Sequence, residues 1–117
     1  PVACAAGMAT LDIYEREALF DRPKQLQEHW LDCALALKGV KNVIDIRAFA
    51  LLAAVEMAPR HTEPLQRGAE AAKYCYENGV WVRNIGDSLV LSPPLIISEE
   101  EISQIFNVIG NAIEMVS

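Results

Sequence analysis

The sequence has no run of basic residues and no long apolar run, and these two absences exclude broad classes of function. Its 117 residues contain 10 Lys and Arg against 16 Asp and Glu, a formal net charge of −6. Nucleic-acid-binding proteins cluster their Lys and Arg to neutralise phosphates, whereas the basic residues here are scattered. No apolar stretch approaches the ~18 residues that a membrane span requires. We therefore expect neither a nucleic-acid partner nor a membrane partner.

Cysteine is also scarce. Cys4, Cys33 and Cys75 are odd in number, widely spaced and form no CxxC motif. Such cysteines are typical of small buried apolar side chains in a reducing compartment, so we expect a cytoplasmic location. A metal site that combines them with His29 or His61 would not match known ligand spacings, and we predict no metal.

What is present is enough apolar sequence for a packed core, since 52% of the residues are hydrophobic and 22% are charged. Apolar residues at helical spacing predict a long first helix over residues 1–21 and a second helix over residues 22–38, with Gly39 as its stop. Alternation then predicts two strands, or one bent strand, over residues 43–57, with Phe49 on the apolar face.

A third helix is predicted from residue 65 to residue 79, followed by a hairpin and a last helix. Short strands at residues 80–83 and 89–91 flank a tight reversal in which Gly86 can take a positive φ. The last helix opens at Ser98 in capping-box register. The fold class is therefore α+β: a small antiparallel sheet of three to four strands with helices packed on one face, preceded by a long helix.

Arg83 is the residue with the clearest chemical potential, because it ends a predicted strand beside the Gly86–Asp87 turn and shares a face with Trp81. A guanidinium is a rigid planar fork that binds a carboxylate through two parallel hydrogen bonds. By spacing alone, an exposed surface arginine at a hairpin is the commoner interpretation. Arg47 shares a sheet face with Asp45, and we interpret that pair as a solvated ion pair.

The remaining titratable residues offer no catalytic group. Both histidines are interpreted as surface residues, and the acidic run 99–101 suits a helix N-terminus. The lysines fall on polar helix faces or in a turn, so none lies in an apolar pocket that would depress its pKa for Schiff-base chemistry. These lysines are Lys24, Lys38, Lys41 and Lys73.

Three blocks of sequence carry a likeness to a known family. They are Pro1–Gly7, then Lys41–Arg47 with Val55–Arg60, then Val80–Asp87 with Leu91–Ile97. In order and spacing they resemble the C-terminal part of class III, fold-type I aminotransferases that depend on pyridoxal 5′-phosphate (PLP). The likeness is greatest to β-alanine–pyruvate (ω-amino acid–pyruvate) transaminases, and it extends over essentially the whole chain.

The resemblance implies a role for Arg83, since the arginine of the Val-Arg-x-x-Gly-Asp stretch binds the substrate carboxylate in such enzymes and swings aside for simple amines. It also implies that the PLP lysine lies upstream of the first block. We therefore expect a C-terminal segment, with residues 1–21 from the end of the large PLP-binding domain and residues 22–117 as the small domain. Such a segment would be inactive and without PLP alone, whereas the full-length enzyme would be a homodimer acting on amino acids and keto acids.

Two departures from the family pattern concern the strand pair. Relatives usually have Asn-x-Gly where this chain has Ala48-Phe49-Ala50, and glycine is common where Ala54 stands. Losing glycine removes easy access to positive φ, so the local turn is expected to differ.

Two other interpretations stay open at this point. One is another class III enzyme of the 4-aminobutyrate, diamine or aminomutase type, with the same fold and a different amino donor. The other is a stand-alone regulatory α+β domain that senses a small carboxylate through Arg83.

Overall fold

The computed structural model describes all 117 residues, which form four helices and four strands. In chain order they are α1 (Val2–Arg16), a short 3-10 helix (Leu19–Asp21), α2 (Arg22–Leu35), β1 (Val43–Phe49), β2 (Leu52–Met57), α3 (Gln66–Glu77), β3 (Arg83–Ile85), β4 (Ser88–Leu91) and α4 (Glu99–Met115). The strands make one fully antiparallel sheet in the order β1-β2-β4-β3. The predicted α+β fold, with a long helix ahead of the sheet, is confirmed.

One face of the sheet, here called the inner face, is buried against α2, α3 and α4. Along β2 the residues Ala53, Val55 and Met57 are buried, and their partners Leu91 and Leu89 on β4 are buried with them. Residues that pair directly across an antiparallel sheet share a face, so the alternation of β2 fixes which residues of its neighbours point inward. The opposite face, here called the outer face, has no element of this chain packed over it.

The core between sheet and helices is centred on Trp30 of α2, which is completely buried. Its ring meets Phe106 of α4 edge to face at 5.0 Å between centroids, and its Nε1–H donates to the Leu52 carbonyl at 3.2 Å. Each fully buried side chain of this size contributes about 1.5–3 kcal/mol through removal of apolar surface from water. Helix α4 adds Ile102, Ile109 and Ile113, all fully buried, as its predicted stripe requires.

Helix α4 begins with the predicted capping box. The Ser98 hydroxyl accepts from the Glu101 N–H at 3.1 Å, and the Glu101 carboxylate accepts from the Ser98 N–H at 2.8 Å. Two backbone donors that the helix start would leave unpaired are thereby satisfied.

Helix α1 differs from the other three α-helices because none of its residues is buried. Val2 and Leu11 stay 85% and 56% exposed, and Cys4 is exposed as well, so the expectation of three buried cysteines is wrong for Cys4. The helix ends at Arg16 rather than at residue 21, because Ala18 takes φ 49° and turns the chain so that Leu19 can be buried. No helix of the chain combines the length and the apolar character needed to cross a membrane.

The strand predicted over residues 80–83 lies three residues further along the chain, at Arg83–Ile85. Strand β3 begins at Arg83, which pairs with Val90. Residues 80–82 pair with no strand, and this segment is held against the core by side-chain burial of Val80 and Val82.

The prediction that Phe49 shares the apolar face is also wrong. Its side chain lies on the outer face, where it is 80% exposed, instead of with the buried residues of β2. It pairs with Leu52 across a two-residue loop, Ala50-Leu51, and Ala50 has φ 52°. The loss of glycine at this position therefore does not prevent a positive-φ turn. Ala50 adopts the left-handed conformation despite its Cβ, a strain of about 1–2 kcal/mol.

Candidate functional site

Arg83 is the first residue of β3, and it lies on the outer face of the sheet. Arg83 pairs with Val90 of β4, and Val90 pairs on its other side with Ala54 of β2. Ala54 in turn pairs with Arg47 of β1. These four residues form one row across the outer face. Adjacent strands lie about 4.8 Å apart, so Arg83 is separated from the strand of Ala54 by about 10 Å. The Ala54 methyl therefore points into the same surface as Arg83.

The surroundings of Arg83 distinguish it from every other arginine of the chain. The other five each donate to a carboxylate or a backbone carbonyl, whereas Arg83 is exposed and makes no hydrogen bond or ion pair within the chain. The five are Arg16, Arg22, Arg47, Arg60 and Arg67. Its neighbours two residues away along the chain, Trp81 and Ile85, are 89% and 58% exposed apolar side chains. All the donors of the Arg83 fork are thus free for an anion from outside the chain.

Arg47, at the other end of the row, is already neutralised. Its guanidinium binds the carboxylate of Glu56 at 2.7 Å and also that of Asp45. The hydrogen bond to Glu56, followed by the one to Asp45, raises the pKa of Arg47. All three side chains are substantially exposed, so the predicted solvated ion pair is confirmed and extended to a second carboxylate.

The turn that carries β3 into β4 is fixed by a contact that no sequence pattern indicated. Gly86 has φ 60°, as predicted, and Asp87 beside it is buried. The Asp87 carboxylate accepts the Leu65 N–H at 3.2 Å through Oδ2 and the Gly68 N–H at 3.0 Å through Oδ1. These donors are at the start of α3, where backbone N–H groups lack helical partners and favour negative charge.

Gly68 is the point where α3 and this turn touch. A Cβ built on Gly68 would lie 2.1 Å from the Gly86 carbonyl oxygen and 2.9 Å from the Asp87 Cα. Only glycine permits this approach of two backbones. The sequence contains no signal for the contact, because Gly68 occupies an ordinary position inside a helical pattern.

The remaining candidate residues are placed as follows. His61 is exposed as predicted, whereas His29 is half-buried, with Nε2 3.1 Å from the Glu99 carbonyl and 3.0 Å from the Ser103 hydroxyl. Cys75 is buried, and desolvation raises the pKa of its thiol to about 11. All four lysines are exposed. No three residues among His, Cys, Asp and Glu lie together as metal ligands.

A groove of about 480 Å³ runs between the end of β4 and helix α4, and Arg83 does not line it. The lining of this groove includes Trp30, Trp81, Pro93, Pro94 and Ile105. The free guanidinium and this groove are therefore different places, and a pocket around Arg83 would need further protein over the outer face.

Comparison with known proteins decides the family. Residues 1–113 match the family described as Aminotransferase class-III. The chain belongs to that family. A class-III relative, the beta-alanine–pyruvate aminotransferase of Pseudomonas aeruginosa, is 40% identical over 113 residues, which cover 97% of this chain and 25% of the relative. The gamma-aminobutyrate transaminase 1, mitochondrial, of Oryza sativa subsp. indica is 31% identical over 120 residues, covering 97% and 23%.

Solved class-III structures share the fold. The crystal structure of a thermostable omega transaminase four-fold mutant from Pseudomonas jessenii matches with a TM-score of 0.93 at 27% identity. That match covers 100% of this chain and 27% of the other. The chain thus spans about a quarter of the length of the aminotransferases that it matches.

Class-III aminotransferases depend on PLP, but the residues of this chain do not fit as its site. Every lysine is exposed, so no amine is held in an apolar pocket of the kind that Schiff-base chemistry needs. What the chain does offer is the Arg83 fork on an uncovered sheet face.

Proposed function

We propose that this chain is the C-terminal part of a PLP-dependent transaminase that moves an amino group from β-alanine, or another ω-amino acid or amine, to pyruvate. Within it, Arg83 binds the substrate carboxylate. The observation that carries the proposal is the free guanidinium of Arg83, the one arginine without a partner, in a block of sequence typical of this family. We also propose the cytoplasm as its location.

Arg83 would act by orientation. A bidentate grip on a carboxylate fixes both the position and the plane of the substrate, which converts a diffusive encounter into a positioned one. The apolar neighbours Trp81 and Ile85 would strengthen that grip once further protein excludes water from the outer face, because charge–charge attraction grows as the local dielectric falls. The chemistry at nitrogen belongs to the cofactor and to protein outside these residues.

The uncovered surfaces indicate the partner. Helix α1 has no buried residue, and the outer face exposes Phe49 and Leu52 at 80% and 53%. Exposed apolar area of this kind marks an interaction surface. We propose that the large PLP-binding domain of the same protein covers it, with residues 1–21 belonging to that domain and residues 22–117 forming the small domain. A homodimer of the complete enzyme is part of the same proposal.

A 4-aminobutyrate transaminase is the second candidate, and the 31% identity to the rice protein supports it. The complete protein should be assayed with β-alanine and with 4-aminobutyrate as donors, each against pyruvate and 2-oxoglutarate as acceptors. We expect alanine formation from β-alanine and pyruvate at the highest kcat/KM. A preference for 4-aminobutyrate would favour the second candidate, and no transfer with any pair would refute both.

The regulatory-domain interpretation is separated by a binding experiment on the 117 residues alone. We expect these residues, with PLP added, to form no alanine and to retain no PLP after dialysis. We also expect titration calorimetry with pyruvate to detect no binding at millimolar concentration, because an exposed ion pair contributes only about 0–1 kcal/mol. Binding that Arg83→Ala abolishes would favour a stand-alone carboxylate sensor instead.

A further inference from the structure

We infer that Asp87 is a positioning residue for Arg83. Its carboxylate locks the β3–β4 hairpin to the start of α3 and so aims the guanidinium. This inference rests on the proposed function of Arg83, and it assigns to Asp87 a role apart from substrate contact. Asp87 is buried at 8% exposure, and its carboxylate accepts only from backbone N–H groups at the start of α3, so it lies below the surface that Arg83 presents.

The turn is held from two sides. Through its side chain Asp87 accepts from Leu65 and Gly68, and through its main-chain carbonyl it accepts the Met57 N–H at 3.0 Å. Leu65 itself has φ 69°, a conformation disfavoured for a branched side chain, and its hydrogen bond to Asp87 stabilises it. The hairpin therefore cannot shift toward or away from α3 without breaking charge-assisted hydrogen bonds.

The hairpin is short enough to transmit this constraint to Arg83. Strand β3 has three residues, and Gly86 and Asp87 form a two-residue loop between Ile85 and Ser88. Arg83 is three residues before Gly86, whose carbonyl rests against Gly68. The Arg83 side chain makes no hydrogen bond or ion pair of its own within the chain. Its direction therefore depends on where the backbone of β3 lies, and the hydrogen bonds of Asp87 fix that backbone.

The test is Asp87→Asn in the complete enzyme. An asparagine side chain keeps one acceptor but turns its amide donors toward the second backbone N–H, so one of the two hydrogen bonds is lost and a repulsion replaces it. A displacement of about 1 Å at a positioning group costs up to about 100-fold, so we expect kcat/KM for β-alanine and pyruvate to fall by roughly 10- to 100-fold. The fall should appear mainly in KM, with an amine donor that lacks a carboxylate left within about 2-fold.

Two control variants of the enzyme test whether the effect of Asp87→Asn acts through Arg83. Ser98→Ala removes the cap of α4, a loss of comparable kind in the same domain, and we expect it to leave KM for both substrate classes unchanged. In the Arg83→Ala background, Asp87→Asn should add less than about a 2-fold change, because a residue that acts through Arg83 has nothing left to position. Should the Asn protein not fold, Asp87→Ser serves in its place, because its shorter side chain withdraws the acceptor and its hydroxyl can rotate its O–H away from the two backbone N–H groups.

The outcomes separate the two claims. If Arg83→Ala raises KM for carboxylates and Asp87→Asn does not, the inference about Asp87 is overturned while the proposed function stands. If Asp87→Asn impairs carboxylates and simple amines alike, or impairs them equally in the Arg83→Ala background, Asp87 is structural only. If Arg83→Ala itself changes nothing, both the proposed function and this inference fail.

Discussion

Replacing Gly68 by alanine should be among the most damaging single-methyl changes that this chain allows. The added Cβ would lie 2.1 Å from the Gly86 carbonyl oxygen and 3.0 Å from the carbonyl carbon. The two backbones must separate by about 1 Å, which overpacks a filled contact at about 1–3 kcal/mol. The same movement stretches the 3.0 Å bond from Gly68 to Asp87, and a buried carboxylate left unpaired costs about 1–3 kcal/mol more.

The expected loss is therefore about 2–6 kcal/mol, a large share of the ~5–15 kcal/mol of a typical domain. Urea denaturation followed by the fluorescence of buried Trp30 measures it through the transition midpoint. Gly7→Ala is the matched control, because Gly7 is also helical but has no atom within 4 Å of its added Cβ. That change should be neutral or stabilise by up to about 1 kcal/mol. A Gly68→Ala midpoint equal to the wild-type midpoint would refute the contact.

Three further outcomes follow from single side chains. Ala50→Gly should raise the free energy of unfolding by about 0.5–1 kcal/mol, because glycine adopts the positive φ of this position without strain. Ala48→Gly, within β1, should lower the free energy of unfolding by a similar amount. Equal shifts of the denaturation midpoint for the two variants would contradict this. The hydrogen bond from Arg60 lowers the pKa of Glu70, so this carboxylate stabilises the fold above its ordinary pKa, and the contribution is lost as pH falls through the depressed value. Glu70→Gln should then lower Tm at about pH 7 but not at about pH 3, and a constant difference would be the contrary result. Cys75, with its thiol pKa raised to about 11, should resist thiol reagents at about pH 8 until denaturant is added, as mass spectrometry of labelled peptides would record.

The parts of the fold that could be predicted are those in which local pattern and burial agree. The stripe of α4 and its capping box are local signals within one helix, and both are present. Gly86 predicts a turn from the sequence alone, because few other residues take positive φ readily. The α+β class follows from the order of such segments.

What could not be predicted depends on contacts between distant segments. The start of β3 at Arg83 is set by its pairing with Val90 of β4, seven residues away along the chain. Ala18 and Ala50 adopt positive φ although alanine gives no hint of it, because tertiary packing overrides local preference. Cys4 has the residue type of a core position, yet no residue of α1 is buried within this chain.

The residues of the candidate site also fall into those that the sequence indicates and those that only the structure shows. Arg83 was chosen from a motif, and the structure adds that it has no partner within the chain. Asp87 and Gly68 were found only in three dimensions, because the hydrogen bond between them joins residues 19 positions apart. Sequence patterns reveal a chemical group more readily than they reveal what holds it in place.

The most direct test of the account compares two donors that differ only in a carboxylate, β-alanine and ethylamine, in single turnovers of the complete enzyme. For Arg83→Ala we expect the specificity constant for β-alanine to fall by about 100-fold or more, as loss of a bidentate charged contact in a closed site implies, with ethylamine little changed. Arg83→Lys should recover only part of the loss, because an ammonium cannot form the paired hydrogen bonds. Equal losses for both donors, or none for either, would show that Arg83 does not bind the carboxylate.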